Sequence, residues 1–553
     1  MLLSMPGYRT RPVGGYCCPF PSHNIHSVLQ RVAFHMRPAI PPASKLKPNV
    51  SRPSNTLLTS RRISFSDAKQ STGYPCMHRL RIIILIGLGI CYYTSAISDE
   101  LRDTVESAQN THGVSAVAYF IVSPDSVEAL ETLGTTDTDN GIPFSPDHLV
   151  RIGSITKTFT ALATIILHER NLVSLDSPVA DVLDRPVFVN PWSDRRPLKI
   201  VHLLEHTAGL RDLSKREFDF NQPVLLDAAF KVDPDSRRLR WPPGMYSSYS
   251  NNGAGILSAV IGHTTGQTYE TFVSKEIFNS LGMSSARFTV PDFERHRLVT
   301  GYDSDARTPI PYWHILYYAF GAISVTPRDM ISFVQLFLND GKHGNRRLVA
   351  KASMQNMRSP TTTLAARSGL DYGYGLGLYQ YQRHGVSFFG HGGDADGYLA
   401  YFAFSPAFNR GYFVAINASN PSALLKIRQA IEEKIIGHAA PKKIAAATIS
   451  NEQLQKLSGT YRPVTARFGK PSDNKFIKVS AATDGELYTS LQNGRRRALL
   501  SVTSSHFRRR GQTVATVAFI ACGDQIHLQG DFGNYAKSAQ TDVHHLCINS
   551  TTP

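Results

Sequence analysis

Ser154 and Lys157 stand three residues apart in the stretch Arg151-Ile-Gly-Ser-Ile-Thr-Lys-Thr-Phe-Thr160. On a helix that spacing puts both side chains on one face, a turn apart. A serine at a helix start has an orphan backbone N–H and the positive end of the dipole beside it, which favours developing negative charge. Lys157 then serves as a base once burial or a cationic neighbour takes its proton. The same spacing equally fits a capping serine followed by a solvated lysine. It recurs at Ser44–Lys47, Ser66–Lys69 and Ser472–Lys475, all in polar or Pro-containing sequence. Only Ser154 is followed by an apolar helical pattern, with Ile155, Phe159, Leu162 and Ile166 at helical spacing.

Two further stretches carry chemistry. In Trp241-Pro-Pro-Gly-Met-Tyr-Ser-Ser-Tyr-Ser-Asn251, Tyr249 is followed by Asn251 two residues later. A phenol beside an ammonium can shuttle protons, and an Asn amide can orient a substrate carbonyl. The flanking Pro-Pro-Gly and Ser-Asn-Asn-Gly also read as plain turns. The second stretch, Phe389-Gly-His-Gly-Gly-Asp-Ala-Asp-Gly-Tyr398, sets His391 among glycines before the apolar run Leu399–Phe404. Glycines there let backbone approach a ligand closely, and they are equally the mark of a Gly-rich hairpin.

The three motifs, in this order, resemble the serine β-lactamase and penicillin-binding-protein-like hydrolases. The resemblance is to the class C β-lactamase, D-aminopeptidase and esterase branch, where the second motif is Tyr-x-Asn and the third includes His-x-Gly. His202-Leu-Leu-Glu-His-Thr-Ala-Gly-Leu210 and Phe320-Gly-Ala-Ile-Ser-Val-Thr-Pro-Arg-Asp329 fit it too. It implies Ser154 as the acylated nucleophile, with Lys157 and Tyr249 sharing its proton and later activating the deacylating water. Asn251 would hold the substrate amide, and His391 would stand where many relatives carry Lys. The oxyanion hole would combine the N–H of Ser154 with one from Gly393 or Asp394, next to Gly392. Asp394 departs from the Gly or Thr expected there. A largely neutral His holds a carboxylate less firmly than Lys, so β-lactam hydrolysis is not expected. The resemblance implies cleavage of small-peptide amides. Relatives include peptidases of D-amino-acid peptides and of linearised cyanobacterial peptide toxins. Carboxylester hydrolysis or transesterification is the alternative, and a non-catalytic assembly protein on the same fold is a third.

Elements must position these groups. At 553 residues the chain exceeds one core, so two or more folded units are expected. Residues 97–438 mix helical and strand patterns and carry the resemblance. It predicts an α+β fold, an antiparallel sheet flanked by helices plus an all-helical region. Residues 439–449 read as a linker, and 450–553 as a small β-barrel-like domain of short alternating strands. There Leu454-Gln-Lys-Leu-Ser-Gly-Thr-Tyr-Arg462 resembles the start of the module that frames the active site in some relatives.

The net charge of +16 is concentrated in residues 1–76, where ten Lys/Arg face one Asp. With no basic run interleaved with aromatics elsewhere, nucleic acid is not an expected partner. Residues 77–96 match a secretory signal: basic Met77–Arg81, a 12-residue apolar run, then Thr94 and Ala96 before a cleavage point. The expectation is that 1–76 is an upstream over-extension of the reading frame and the mature protein is periplasmic or secreted. The alternative is an organelle presequence and anchor, with a mitochondrial intermembrane-space location. After such a leader only Cys522 and Cys547 remain, forming one disulfide or staying free. No Cys-x-x-Cys or His-rich cluster suggests a metal, and no cofactor is expected.

Overall fold

The computed structural model describes residues 100–537 apart from 219, 439–443, 473 and 493; the expected leader and Cys547 lie outside the described residues. A six-stranded antiparallel sheet runs through the larger part of the chain. Its strands are β1 (Ala116–Val122), β2 (Val127–Gly134), β3 (Tyr379–Arg383), β4 (Val386–Asp394), β5 (Leu399–Ser405) and β6 (Arg410–Ile416), in spatial order β2-β1-β6-β5-β4-β3. All seven residues of β1 are buried, because both faces of the sheet are covered. Ala118, Phe120 and Val122 face one core, while Val117, Tyr119 and Ile121 face another, the period-two alternation of a strand.

The first core is filled by helices between β2 and β3. Central to it is α1 (Thr156–Glu169), buried from Thr156 through Leu167. Phe159 of α1 stacks on Phe333 at 3.9 Å between centroids. The second core is closed by a helix over residues 100–112 and by α3 (Pro421–Ile436). Between α1 and α3 in sequence lies α2 (Asn251–Thr265), which ends at Gly266 in the left-handed conformation, φ 66°. The sequence pattern did not indicate α2, because Asn and Gly at its start have low helix propensity. Packing overrides propensity there: a Cβ on Gly255 would sit 2.7 Å from the Tyr317 ring.

The C-terminal unit is a closed antiparallel barrel of eight strands between Gly459 and Lys537, sealed where Tyr461 pairs with Lys537. Ile477, Val479, Leu487, Leu499, Phe507 and Phe519 fill it, together with Leu454 and Leu457 of a short helix, Asn451–Leu457. The barrel packs on the segment before Tyr249. Trp241, Met245 and Tyr246 share an apolar cluster with Leu364 and Cys522. Gln529 donates to Met245 O at 2.9 Å and accepts from Ala365 N–H at 2.8 Å. Cys522 is disulfide-bonded. Among the described residues, no helix is long and apolar enough to cross a membrane, and no group of three or more His, Cys, Asp or Glu is placed to hold a metal ion.

Candidate active site

Ser154 sits in a single 3-10 turn, Gly153–Ile155, that runs directly into α1. The helix therefore begins at Thr156, two residues later than the sequence pattern suggests. Gly153 sets this geometry: its φ is +50°, and a Cβ there would lie 2.5 Å from Asp394 N. Gly393 is tighter still, since its Cβ would meet Ile152 O at 1.8 Å and Ser154 N at 3.2 Å. Strand β4 thus approaches the Ser154 turn as closely as bare backbone allows.

Lys157 is buried, and its Nζ donates to Ser154 Oγ at 3.0 Å and to Phe320 O at 2.7 Å. The same Nζ lies 4.9 Å from the centre of the Tyr249 ring. Tyr249 arrives on the loop just before α2 and packs on His206, with centroids 4.2 Å apart. At the start of α2 the Asn251 N–H donates to Asp212 Oδ1 at 2.7 Å, and Nδ2 faces Asp212 Oδ2 at 3.5 Å. The carboxylate fixes which way the amide points. Asn251 Oδ1 is then left as a buried acceptor with no hydrogen-bond partner among the described residues.

His391 lies in β4 and is fully buried. Its Nδ1 is 2.6 Å from Gly392 O, and its Nε2 is 2.9 Å from Tyr374 Oη. A carbonyl only accepts, so Nδ1 carries the proton and Nε2 accepts from the tyrosine. Burial, with Lys157 nearby, holds the imidazole down at about 3, so it is neutral. Both ring nitrogens are engaged within the protein. Gly392 N–H donates to Tyr379 Oη at 3.0 Å, which pins the same strand. Asp394 is pushed up to about 7, first by burial and then by Asp396, with Arg467 opposing.

All eight sequence-predicted residues thus belong to one place: the Ser154 turn, the start of α2 and the end of β4. Others converge there without having been assigned a part. His206, from the quoted Glu205-His206-Thr207 phrase, has φ +55° and a buried Nε2 with no hydrogen-bond partner among the described residues. Burial and Lys157 hold it well below its usual range. Its phrase was a usable signal. Asp212, Tyr374 and Arg467 carried none, being single polar residues brought in from separate segments.

The fold and this geometry match known proteins. The family model described as Beta-lactamase matches residues 101–434, and the chain belongs to that family of serine hydrolases. The chain is 25% identical over 317 residues to penicillin-binding protein 4 of Amycolatopsis lactamdurans, covering 55% of this chain and 81% of that one. It is 24% identical over 342 residues to the D-alanyl-D-alanine-carboxypeptidase/endopeptidase AmpH of Escherichia coli K12, covering 59% and 85%. Among solved structures, the octameric penicillin-binding protein homologue from Pyrococcus abyssi shares the fold with a TM-score of 0.52 and 22% identity, covering 80% of this chain and 100% of that one.

Proposed function

We propose that this chain hydrolyses amide bonds of small peptides through an acyl-enzyme on Ser154. The observation that carries the reading is the buried Lys157 Nζ at 3.0 Å from Ser154 Oγ. In this reading Lys157 and Tyr249 take the Ser154 proton as Oγ attacks the carbonyl carbon. They return it to the leaving amine, and then take a proton from the water that frees the acid. The N–H of Ser154 and one from Gly393 or Asp394 receive the oxyanion. The neutral, internally engaged His391 positions β4 and supplies no permanent charge, which argues against a β-lactam carboxylate as the recognised group.

A peptide-like substrate is favoured by Asn251. Its buried Oδ1 calls for an N–H donor, and a peptide brings one where a simple ester does not. The leader pattern of residues 77–96 supports an exported protein, periplasmic or secreted. The test is a panel of aminoacyl p-nitroanilides and p-nitrophenyl esters. Release from the amides, lost in Ser154→Ala, is expected. Ester cleavage with no amide cleavage would make the chain an esterase instead.

A further inference from the structure

We propose that Arg467, carried by the barrel, is a positioning residue of the hydrolase site. It holds Asp212, and through it Asn251, in place and adds a cation against Tyr249. The inference rests on the acyl-enzyme reading above and concerns a group that none of the three motifs contains.

Arg467 lies just beyond the barrel strand Gly459–Pro463. Its Nε donates to Asp212 Oδ2 at 2.6 Å, and its own carbonyl accepts from the Asp212 N–H at 3.4 Å. The contact is therefore reciprocal, side chain one way and backbone the other. Asp212 is fully buried, and a buried carboxylate requires a partner. Its other oxygen takes the Asn251 and Leu213 N–H groups at 2.7 and 2.8 Å. A single carboxylate thus joins the barrel to the start of α2, where the substrate amide is to be read. The Arg467 guanidinium also lies 4.8 Å from the centre of the Tyr249 ring.

The segment that presents Arg467 is tied down independently. Arg240 donates to the carbonyls of Ala466, Arg467 and Gly469 and lies 4.8 Å from the Trp241 ring. Asn534 donates to Ser247 O at 2.7 Å and Thr465 Oγ1 at 3.1 Å. Arg240 and Ser247 belong to the segment that leads to Tyr249, and Asn534 to the last barrel strand, Gly533–Lys537. A passive neighbour needs no such clamp, and a lysine could not supply the planar fork that meets a carboxylate and an aromatic face together.

The groups around Tyr249 are Lys157 from α1, His206 from the segment after residue 204, His391 from β4 and Arg467. The two histidines are held neutral, so the cations beside the ring are Lys157, while it holds its proton, and Arg467, which also faces the Asp212 carboxylate it pairs with and Asp394; a cation there favours the phenolate. Removing Arg467 raises the pH needed to form the base.

The test uses the full chain and needs no knowledge of the substrate. It measures the second-order rate of Ser154 modification by a fluorophosphonate from pH 5 to 10, alongside thermal unfolding. Arg467→Ala is expected to react roughly tenfold to hundredfold more slowly, with the acidic limb of the profile moved to higher pH. Arg467→Lys keeps a charge and restores the limb while leaving a several-fold rate deficit. It carries the test if the alanine variant does not fold. Asp212→Asn combined with Arg467→Ala should be no slower than the slower single variant. The exposed Lys470→Ala in the same segment should behave as wild type. A wild-type rate and profile in Arg467→Ala or Arg467→Lys, or multiplying effects in the double variant, would overturn the proposal. If wild-type Ser154 does not react at all, the acyl-enzyme reading fails rather than this one.

Discussion

Replacing Gly393 by alanine puts a methyl group where the Ser154 turn already is. The added Cβ would stand 1.8 Å from Ile152 O, whereas ordinary contact begins near 3.4 Å. The strand or the turn must therefore part by about 1.6 Å, and neither neighbour is a flexible side-chain tip. Overpacking of this kind costs about 1–3 kcal/mol of stability. The kinetic cost is larger, because a misplacement of about 1 Å at a reacting group lowers rates on the order of a hundredfold. The assay is fluorophosphonate modification of Ser154 at pH 7.5, read beside the melting temperature. Gly262→Ala in α2 is the matched control. Its Cβ would meet Gln267 O at 3.5 Å, an ordinary contact, so it should gain about 1 kcal/mol of helix propensity with no change in rate. A Gly393→Ala protein that reacts within threefold of wild type would refute the close-approach account of the site.

The buried titratable groups set further expectations. The Asp394 carboxyl, raised to about 7, keeps its proton when folded at pH values where the unfolded chain has lost it. Stability therefore falls as pH rises from about 4 to 7; Asp394→Asn should flatten that slope in denaturant titrations, and an unchanged slope would contradict the assignment. Ionised Asp394 also repels a developing oxyanion, so a fall in turnover above pH 7 should be absent in the same variant. The His391 ring, held at about 3, should show no imidazole titration by NMR between pH 5 and 8; a midpoint near 6.5 would mean that it is exposed. Arg237 pairs with buried Glu217 at 3.5 Å and donates to Val187 O and Tyr317 Oη, so Arg237→Ala should cost about 3–5 kcal/mol by urea unfolding.

The sequence made the three motifs legible because each depends on neighbours in the chain: Ser154 with Lys157, Tyr249 with Asn251, His391 among glycines. The apolar run that became β5 and the barrel were legible for the same reason, from local pattern. What stayed hidden depends on residues distant in sequence. The helix starting at Asn251 is stabilised by Tyr317 against Gly255, a contact no local propensity records. Gly153 looked like an ordinary flanking glycine until the end of β4 came within contact of it. The surroundings of His391 were hidden for the same reason. Tyr374, 17 residues earlier, occupies its Nε2. Arg467 and Asp212 are 255 residues apart, and nothing in either segment announces the other.

In the proposed mechanism Ser154 is the nucleophile and Lys157 its activating neighbour. The most direct measurement is peptide mapping by mass spectrometry after fluorophosphonate treatment of wild type, Ser154→Ala and Lys157→Ala. One adduct is expected, on the peptide containing Ser154, absent from Ser154→Ala and formed roughly a hundredfold or more slowly in Lys157→Ala. An adduct on a different serine, or labelling that persists in Ser154→Ala, would contradict it.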